Sequence, residues 1–351
     1  MSGALTAAAR LGAALQHREA DRVPFFLPVT MHGARLLGVP LPTYLGSAEL
    51  AARGQLRLLE LLGHDAVTCF LCAAGEVEPF GGEVILYDDG PPNAGEPPLR
   101  SAASIERLEP PRPQDSPALR RSLEVARMLR QQLGPDVPIL GGAVAPFSLP
   151  AMQLGLGRWF DLLQDAPALV DHLLRVNEAF CAAWANALLE AGASAVAMAE
   201  PLASPLMVPR ASYLERGLPA LRRTIAAIRG PVAVSTASAP CAPVALDLAG
   251  AGAVGVGISA EDDLAEVKRR LRGRAAVLGN LSGLGMRSWS AADAEREVRA
   301  ALAAGGPGGG FVLSEHHGEI PLQVPLEVLQ AVAEAVRRWG RYPLDWSADA
   351  R

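Results

Sequence analysis

Phe311-Val-Leu-Ser-Glu-His-His-Gly-Glu-Ile-Pro321, preceded by Gly308-Gly-Gly310, is the stretch on which the fold turns. An apolar run breaks abruptly into Glu315, His316, His317 and Glu319 and closes on a proline. That switch is the pattern of a buried strand delivering polar side chains at its C-terminal end. Adjacent residues on a strand point to opposite faces, so only one of His316 and His317 is expected in a given pocket. The plainer alternative is a solvated loop, since histidine is often half-buried or exposed.

Working outward, seven earlier apolar runs share this character: Arg22–Val29, Asp65–Cys72, Pro138–Val144, Ala195–Ala199, Pro231–Thr236, Ala253–Ser259 and Ala275–Asn280. Helical periodicity falls between them, at Leu5–Arg18, Ser47–Leu62, Ser116–Leu133, Pro167–Ala191, Arg210–Ile228, Ala242–Leu248, Asp262–Leu271, Ala291–Ala304 and Pro325–Trp339. Ser47 reads as an N-cap and Gly63 as a C-cap. Leu36–Leu45 is a mixed segment with two prolines, Val84–Leu99 a polar excursion or small hairpin, and Pro110–Asp115 a linker. Eight short strands alternating with helices predict an α/β fold, a single (β/α)8 TIM barrel. It is expected over residues 22–345, with an N-terminal helical segment at 1–21 and a tail at 346–351. A doubly wound open sheet is the runner-up, but no G-x-G-x-x-G stands at a strand–helix junction.

Composition narrows the class. The 351 residues are 50% hydrophobic and 20% charged, which suits a soluble globular enzyme. A net charge of -5 leaves no basic footprint for nucleic acid. No uninterrupted apolar run reaches membrane-spanning length, and the start lacks the features of a signal peptide, so a cytoplasmic protein is expected. Cys69, Cys72, Cys181 and Cys241 are too few for a disulfide framework. Cys69 and Cys72, three apart on a strand, face opposite ways and make a poor metal or redox pair. The single lysine, Lys268, sits on a helix surface, unlike a Schiff-base lysine. His17 and His172 read as solvent-facing helix residues, and His64 lies on the face of a barrel that carries stability. The long apolar helix Pro167–Ala191 could hide a homodimer interface.

In a barrel the chemistry sits at the C-terminal ends of the strands. Those ends carry His32, Cys72, Glu76, Glu200, Ser235, Thr236, Ser238, Asn280, Glu315, His316 and His317. The mouth therefore reads as acidic and hydroxylic with three histidines. His317 is the candidate general acid or base, with Glu200 orienting it and His316 beside it. His32, Cys72, Glu76, Ser235, Thr236, Ser238 and Asn280 are the candidate substrate contacts. Cys72 reads equally as a small buried hydrophobe and His32 as an exposed loop histidine.

Arg22-Val-Pro24, Leu62-Gly-His-Asp-Ala-Val67, Phe80-Gly-Gly-Glu-Val84, Ala191-Gly-Ala193, Leu278-Gly-Asn-Leu281, His317-Gly-Glu-Ile-Pro321 and Pro325-Leu-Glu327 occur in this order. Together they resemble the uroporphyrinogen decarboxylase-like superfamily from about Arg22 to Trp339, nearer its corrinoid methyltransferase branch. The resemblance implies the barrel and either decarboxylation or methyl transfer. It also implies a small-molecule substrate and, for the methyltransferases, zinc and a corrinoid, with a separate corrinoid protein as a possible partner. The motifs depart at the catalytic positions. The decarboxylases' R-Q-A-G-R motif falls on Val29-Thr-Met-His-Gly-Ala-Arg35, and their catalytic aspartate on Cys72. The methyltransferases' H-x-C zinc pair falls on Val234–Ser238, and their last cysteine on His317 or Gly318.

Two site chemistries follow. Glu200, His316, His317 and Cys241, with Glu315, could form a rebuilt zinc or iron site from mixed ligands. Alternatively, His317 works by metal-free acid–base chemistry. The expected function is transfer of a methyl group to or from a corrinoid or small acceptor. The alternatives are decarboxylation of a porphyrinogen or other small acid, and non-catalytic carriage of a corrinoid or tetrapyrrole.

Overall fold

The computed structural model describes residues 5–350. Seven strands form one parallel sheet: β1 (Val67–Thr68), β2 (Ile139–Val144), β3 (Ala195–Ala199), β4 (Val232–Ser235), β5 (Gly255–Gly257), β6 (Ala276–Leu281) and β7 (Phe311–Glu315). Each pairs with its successor in sequence, as the barrel expectation requires. The first apolar run supplies the closing stave without forming a regular strand. Leu313 N–H donates to Pro24 O and Phe26 N–H to Leu313 O, while Asp65 N–H donates to Phe25 O, at 2.9, 3.0 and 2.8 Å. Pro24 and Pro28 explain the irregularity, because neither can donate to a ladder.

The helices wrap the outside. Among them, α1 (Ala7–Leu15) precedes the barrel, and α2 (His32–Leu37), α3 (Leu41–Gly46) and α4 (Ala48–Leu62) join the first stave to β1. α5 (Pro117–Leu133) leads into β2, and α6 (Pro167–Ala191) into β3. Ser47 Oγ accepts from Leu50 N–H, and Gly63 adopts a left-handed φ of 61°, as the cap reading of that helix requires. Ser116 caps α5 in the same way, accepting from Leu119 N–H at 3.0 Å. The polar excursion is a hairpin pairing Val84–Ile85 with Asn93–Ala94. The mixed segment with two prolines is the pair α2 and α3; Pro42 stands in the first turn of α3, where its missing N–H costs nothing. Two further short helices, Leu149–Leu154 and Leu156–Asp165, carry no clear sequence signal, because Pro150, Gly155 and Gly157 interrupt the pattern.

Several expectations change. The apolar side chains of α6 are used inside the chain: Val170, Leu173, Phe180, Trp184 and Leu188 are buried, and Trp184 Nε1 donates to Gly142 O. That apolarity is largely spent on the core. His172 packs its Nε2 against Leu108 O at 3.0 Å, and His17 sits beyond the end of α1 with a φ of 54°, so neither is a freely solvated helix residue. Lys268 donates its Nζ to Pro307 O at 2.6 Å and also bonds Gly305 O. His64 is buried against the ring of Phe26, centroids 5.7 Å apart, on the stability side as expected. All four cysteines are free. Residues 1–4 of the expected N-terminal segment and Arg351 of the tail lie outside the described residues. Among the described residues no helix is long and apolar enough to cross a membrane.

The barrel is locked by one buried carboxylate. Asp65 accepts from Arg10 Nη1 at 2.5 Å, Arg22 Nη1 at 2.6 Å, Arg22 Nη2 at 2.9 Å and Phe25 N–H at 2.9 Å. Removing one partner of such a cluster leaves uncompensated buried charge. Asp65→Asn is therefore expected to destabilise the fold by about 3–5 kcal/mol. Urea denaturation measures it, and a loss under about 1 kcal/mol, the worth of an exposed pair, would contradict this assignment.

Candidate active site

Two loops meet at the C-terminal end of the barrel. One follows β4, where Ala237 and Ser238 both hold positive φ, 45° and 78°. A left-handed conformation is costly for residues with a side chain and tends to persist where structure holds it for a purpose. It is held here by Ser238 N–H donating to His316 O at 3.0 Å. The other loop follows β7. Glu315 caps it, its carboxylate accepting from His317 N–H at 2.7 Å and from Gly318 N–H. A side chain at position 283 would put its Cβ 2.8 Å from Glu315 Oε2, so Gly283 leaves the room for this cap.

The strand ends at Glu315, so the alternation rule does not govern the two histidines in the turn beyond it. Both reach toward the loops after β4 and β5. His316 Nδ1 accepts from Ala260 N–H at 3.2 Å, which fixes the proton of the neutral ring on Nε2. That Nε2 is buried without a partner, an available donor. His317 is exposed, and its Nδ1 bonds Ser238 Oγ. Since a hydroxyl both donates and accepts, this contact leaves His317 Nε2 free to act as base or as acid. Burial lowers both imidazoles from the ordinary histidine value, with the neighbouring His317 a lesser cause for His316. Both are neutral at pH 7.

Burial raises the acids of the mouth above the usual carboxyl range. Glu200 is fully buried; Ser148 Oγ donates to its Oε1, and Oε2 has no partner. Burial pushes its carboxyl up to about 8. Glu315 and Glu319 rise to about 7 by the same cause. Glu319 Oε1 accepts from Thr30 Oγ on the first stave. Glu76 is buried and accepts Val144 N–H on both oxygens, at 2.9 and 3.1 Å, with its carboxyl also raised by burial.

The sequence candidates divide accordingly. His316, His317, Ser238 and the half-buried Cys72 come together at the mouth with Glu315 and Glu319. Glu200 makes no hydrogen bond to either histidine, so the expected orienting contact is replaced by Ser148. His32 is neither exposed nor at the open mouth: it opens α2 fully buried beside the backbone of Val324, its imidazole lowered to about 4 by burial. Thr236 donates to Ala239 O at 2.6 Å and Asn280 to Ser259 O at 3.0 Å, so both brace loops. Ser235 lies half-buried at the end of β4, and Glu76 secures the end of β2.

The rebuilt metal set does not assemble. Among the described residues no three His, Cys, Asp or Glu side chains stand as a metal-ligating group. Cys241 is fully buried, and burial pushes its thiol up to about 12, the opposite of a thiolate ligand. Glu200, His316, His317 and Cys241 therefore do not fit a zinc or iron ion. Sequence reading missed Thr30, Ser148 and Arg121. Arg121, on the second turn of α5, has a buried Nε without a partner. A surface groove of about 1190 Å3, lined by Lys268, Arg272, Glu295 and Arg299, lies on the helical outside.

Residues 6–339 match the family model described as uroporphyrinogen decarboxylase (URO-D). The chain belongs to the uroporphyrinogen decarboxylase family. Relatives in this family carry two activities. The uroporphyrinogen decarboxylase of Alkalilimnicola ehrlichii is 29% identical over 94% of this chain and 93% of its own. The methylcobamide:CoM methyltransferase MtaA of Methanosarcina barkeri is 28% identical over 78% of this chain and 81% of its own. Among solved structures, a methyltransferase from Methanosarcina mazei superposes with a TM-score of 0.86, at 25% identity, over 95% of this chain and 99% of that one. The barrel is thus the family's fold.

The buried acids set a pH dependence. A carboxyl whose folded pKa is raised stabilises the fold below its unfolded value and loses that contribution as pH rises through the folded one. Buried His32 and His64, lowered to about 4 and about 3, act oppositely and only below about pH 6.5. Glu315 and Glu319 lose most of this contribution by about pH 7, and the lowered His316 and His317 act only up to about the unfolded histidine value, so from about pH 7 to 8 the decline rests chiefly on Glu200, with Glu76, at up to about 1.4 kcal/mol per pH unit for each. Urea midpoints across that window measure it. Glu200→Gln should flatten the decline, and a wild-type midpoint that rises with pH would refute the assignment.

Proposed function

We propose that this member of the uroporphyrinogen decarboxylase family is a methyltransferase, moving a methyl group between a corrinoid and a small acceptor. The observation that carries the reading is the charge of the mouth. Burial raises its acids, Glu200 to about 8 and Glu315 and Glu319 to about 7, which lessens their negative charge, and among the described residues one guanidinium near Cys72, that of Arg121, forms no ion pair. Arg35 is spent on the carbonyls of Leu322 and Val324, both at 3.0 Å. A porphyrinogen with eight carboxylates needs several cations, and a methyl acceptor of low charge does not. The extensive superposition on a methyltransferase supports the same side.

A methylated corrinoid, presented by a separate corrinoid protein, would supply an electrophilic methyl carbon: the acceptor's lone pair forms the new bond to it while the carbon–cobalt bond breaks and its electron pair leaves with the corrinoid. His317 Nε2 takes the proton of the attacking acceptor, or returns it in the reverse direction, while Ser238 holds the ring through Nδ1. His316 Nε2–H donates to the acceptor. Glu200 and Ser148 form the neutral floor beneath. No step is assigned to zinc, because the residues present do not make its site.

Methylcobalamin with a simple thiol, followed by absorbance, tests this reading. Wild-type turnover is expected, falling by about 10²–10⁴-fold in His317→Gln. Carbon dioxide release from uroporphyrinogen, with no methyl transfer in either direction, would favour the decarboxylase reading held by relatives such as that of Alkalilimnicola ehrlichii. Binding of methylcobalamin without turnover, only modestly weakened by His317→Ala, would mark a carrier.

A further inference from the structure

We propose that Arg121 is an anion anchor, and that the substrate carries a single carboxylate-type oxyanion bound by its guanidinium on the Cys72 side of the mouth. This rests on reading the loops around His317 as the active site.

The placement follows from packing. A Cβ built on Gly75 would lie 2.9 Å from Ala118 Cβ and 3.9 Å from Cys72 Sγ, so the first turn of α5 and the Cys72 thiol flank the same glycine. Arg121 stands three residues beyond Ala118, on the same face of the helix. Its charge is felt at the Cys72 thiol together with those of Glu319 and Glu76. Glu319 in turn bonds Thr30 across the mouth. Arg121 and Glu319 thus both lie near Cys72, and Glu319 is two residues from His317.

A guanidinium so placed is ordinarily paired. None of the nearby carboxyls pairs with it: Glu319 accepts from Thr30, Glu76 from Val144 N–H, and Glu78 from Ala118 N–H and Ser116. Among the described residues Arg121 forms no ion pair and no hydrogen bond, and its Nε is out of contact with solvent. Nε is closed to a ligand as it is to solvent, so the terminal Nη1 and Nη2 groups are the donors that can meet the two oxygens of a carboxylate end-on. One such anchor selects one anion, consistent with a mouth whose acids are raised by burial.

Cys72 reports on the anchor directly. It is half-buried, whereas Cys69, Cys181 and Cys241 are fully buried and serve as internal controls. Burial pushes the Cys72 thiol up to about 11, so its alkylation is slow and reagent preference is easily read. The experiment compares iodoacetate with the neutral iodoacetamide at Cys72, by peptide mass spectrometry on the full chain. The rate ratio is normalised to that of the urea-unfolded chain. Glu319 and Glu76 act on the same thiol in the opposite sense to Arg121, so the reading is the change on substitution. Arg121→Met should lower the iodoacetate-to-iodoacetamide ratio by about three- to tenfold, as expected for loss of one unit charge a few ångströms away in partly screened surroundings. Arg121→Lys should keep part of the ratio, and Glu319→Gln should raise it. Raising salt from about 0.02 M to about 1 M should shrink the difference between the unaltered protein and Arg121→Met. A ratio indifferent to Arg121→Met overturns the proposal. Alkylation needs no turnover, so a failed methyl-transfer assay leaves this result standing, and a flat ratio leaves methyl transfer untouched.

Discussion

The buried carboxylate of Asp65 is the interaction on which the rest of the structure depends. It gathers Arg10 from the N-terminal helix, Arg22 from the start of the first stave and the backbone of Phe25. The first stave is too rich in proline to knit itself into the sheet by a regular ladder. Three backbone bonds and this ionic cluster do that work. Burying charge is costly, and the cluster compensates by giving every Asp65 oxygen a charged donor. The consequence reaches the other end of the barrel. The same stave continues to Thr30, whose hydroxyl meets Glu319, so closing the barrel also completes one wall of the mouth.

That mouth is unusual in how burial sets the charge of its polar groups. Glu200, Glu315 and Glu319 owe their raised values chiefly to burial, not to one another; only Glu315 has Glu319 among its causes, and a minor one. Their hydrogen-bond partners are hydroxyls and backbone amides, which lower a carboxyl only in part. The histidines are lowered by the same desolvation. Acids raised by burial and imidazoles lowered by it give a site able to pass protons near neutral pH with lessened net charge.

Much of the barrel was legible. Strand and helix alternation, the Ser47 and Gly63 caps, and the ends of Pro167–Ala191 all follow from local periodicity and turn chemistry. The helices around Pro150 and Gly155 were not, because tertiary packing overrides residues that punctuate a helical pattern. For the site, the sequence located the right loops but not the right pairings. It placed His316 and His317 on opposite faces by strand geometry, but the strand stops at Glu315 and both rings lie in the turn beyond. It assigned Glu200 to a histidine, whereas Ser148, more than fifty positions earlier, is its partner. Arg121 was invisible, since an arginine in an amphipathic helix reads as solvated surface until the packing at Gly75 shows which way its turn faces.

The residues that carry the family resemblance and those that carry the proposed chemistry overlap at His317 and otherwise differ. Arg22-Val-Pro and His64-Asp65 are recognisable because they close the barrel, and the His317-Gly-Glu-Ile-Pro turn because Gly318, at a φ of 98°, lets the chain double back under the Glu315 cap. The positions where the decarboxylases place an arginine-rich motif and the methyltransferases a zinc pair hold a fully buried His32 and the left-handed Ala237–Ser238 turn instead. A scaffold secured at its closing stave and at one capped turn tolerates replacement of everything between them at the mouth. Specificity here follows from which charges are left unpaired, and by that criterion Arg121 weighs more than any residue the family motifs single out.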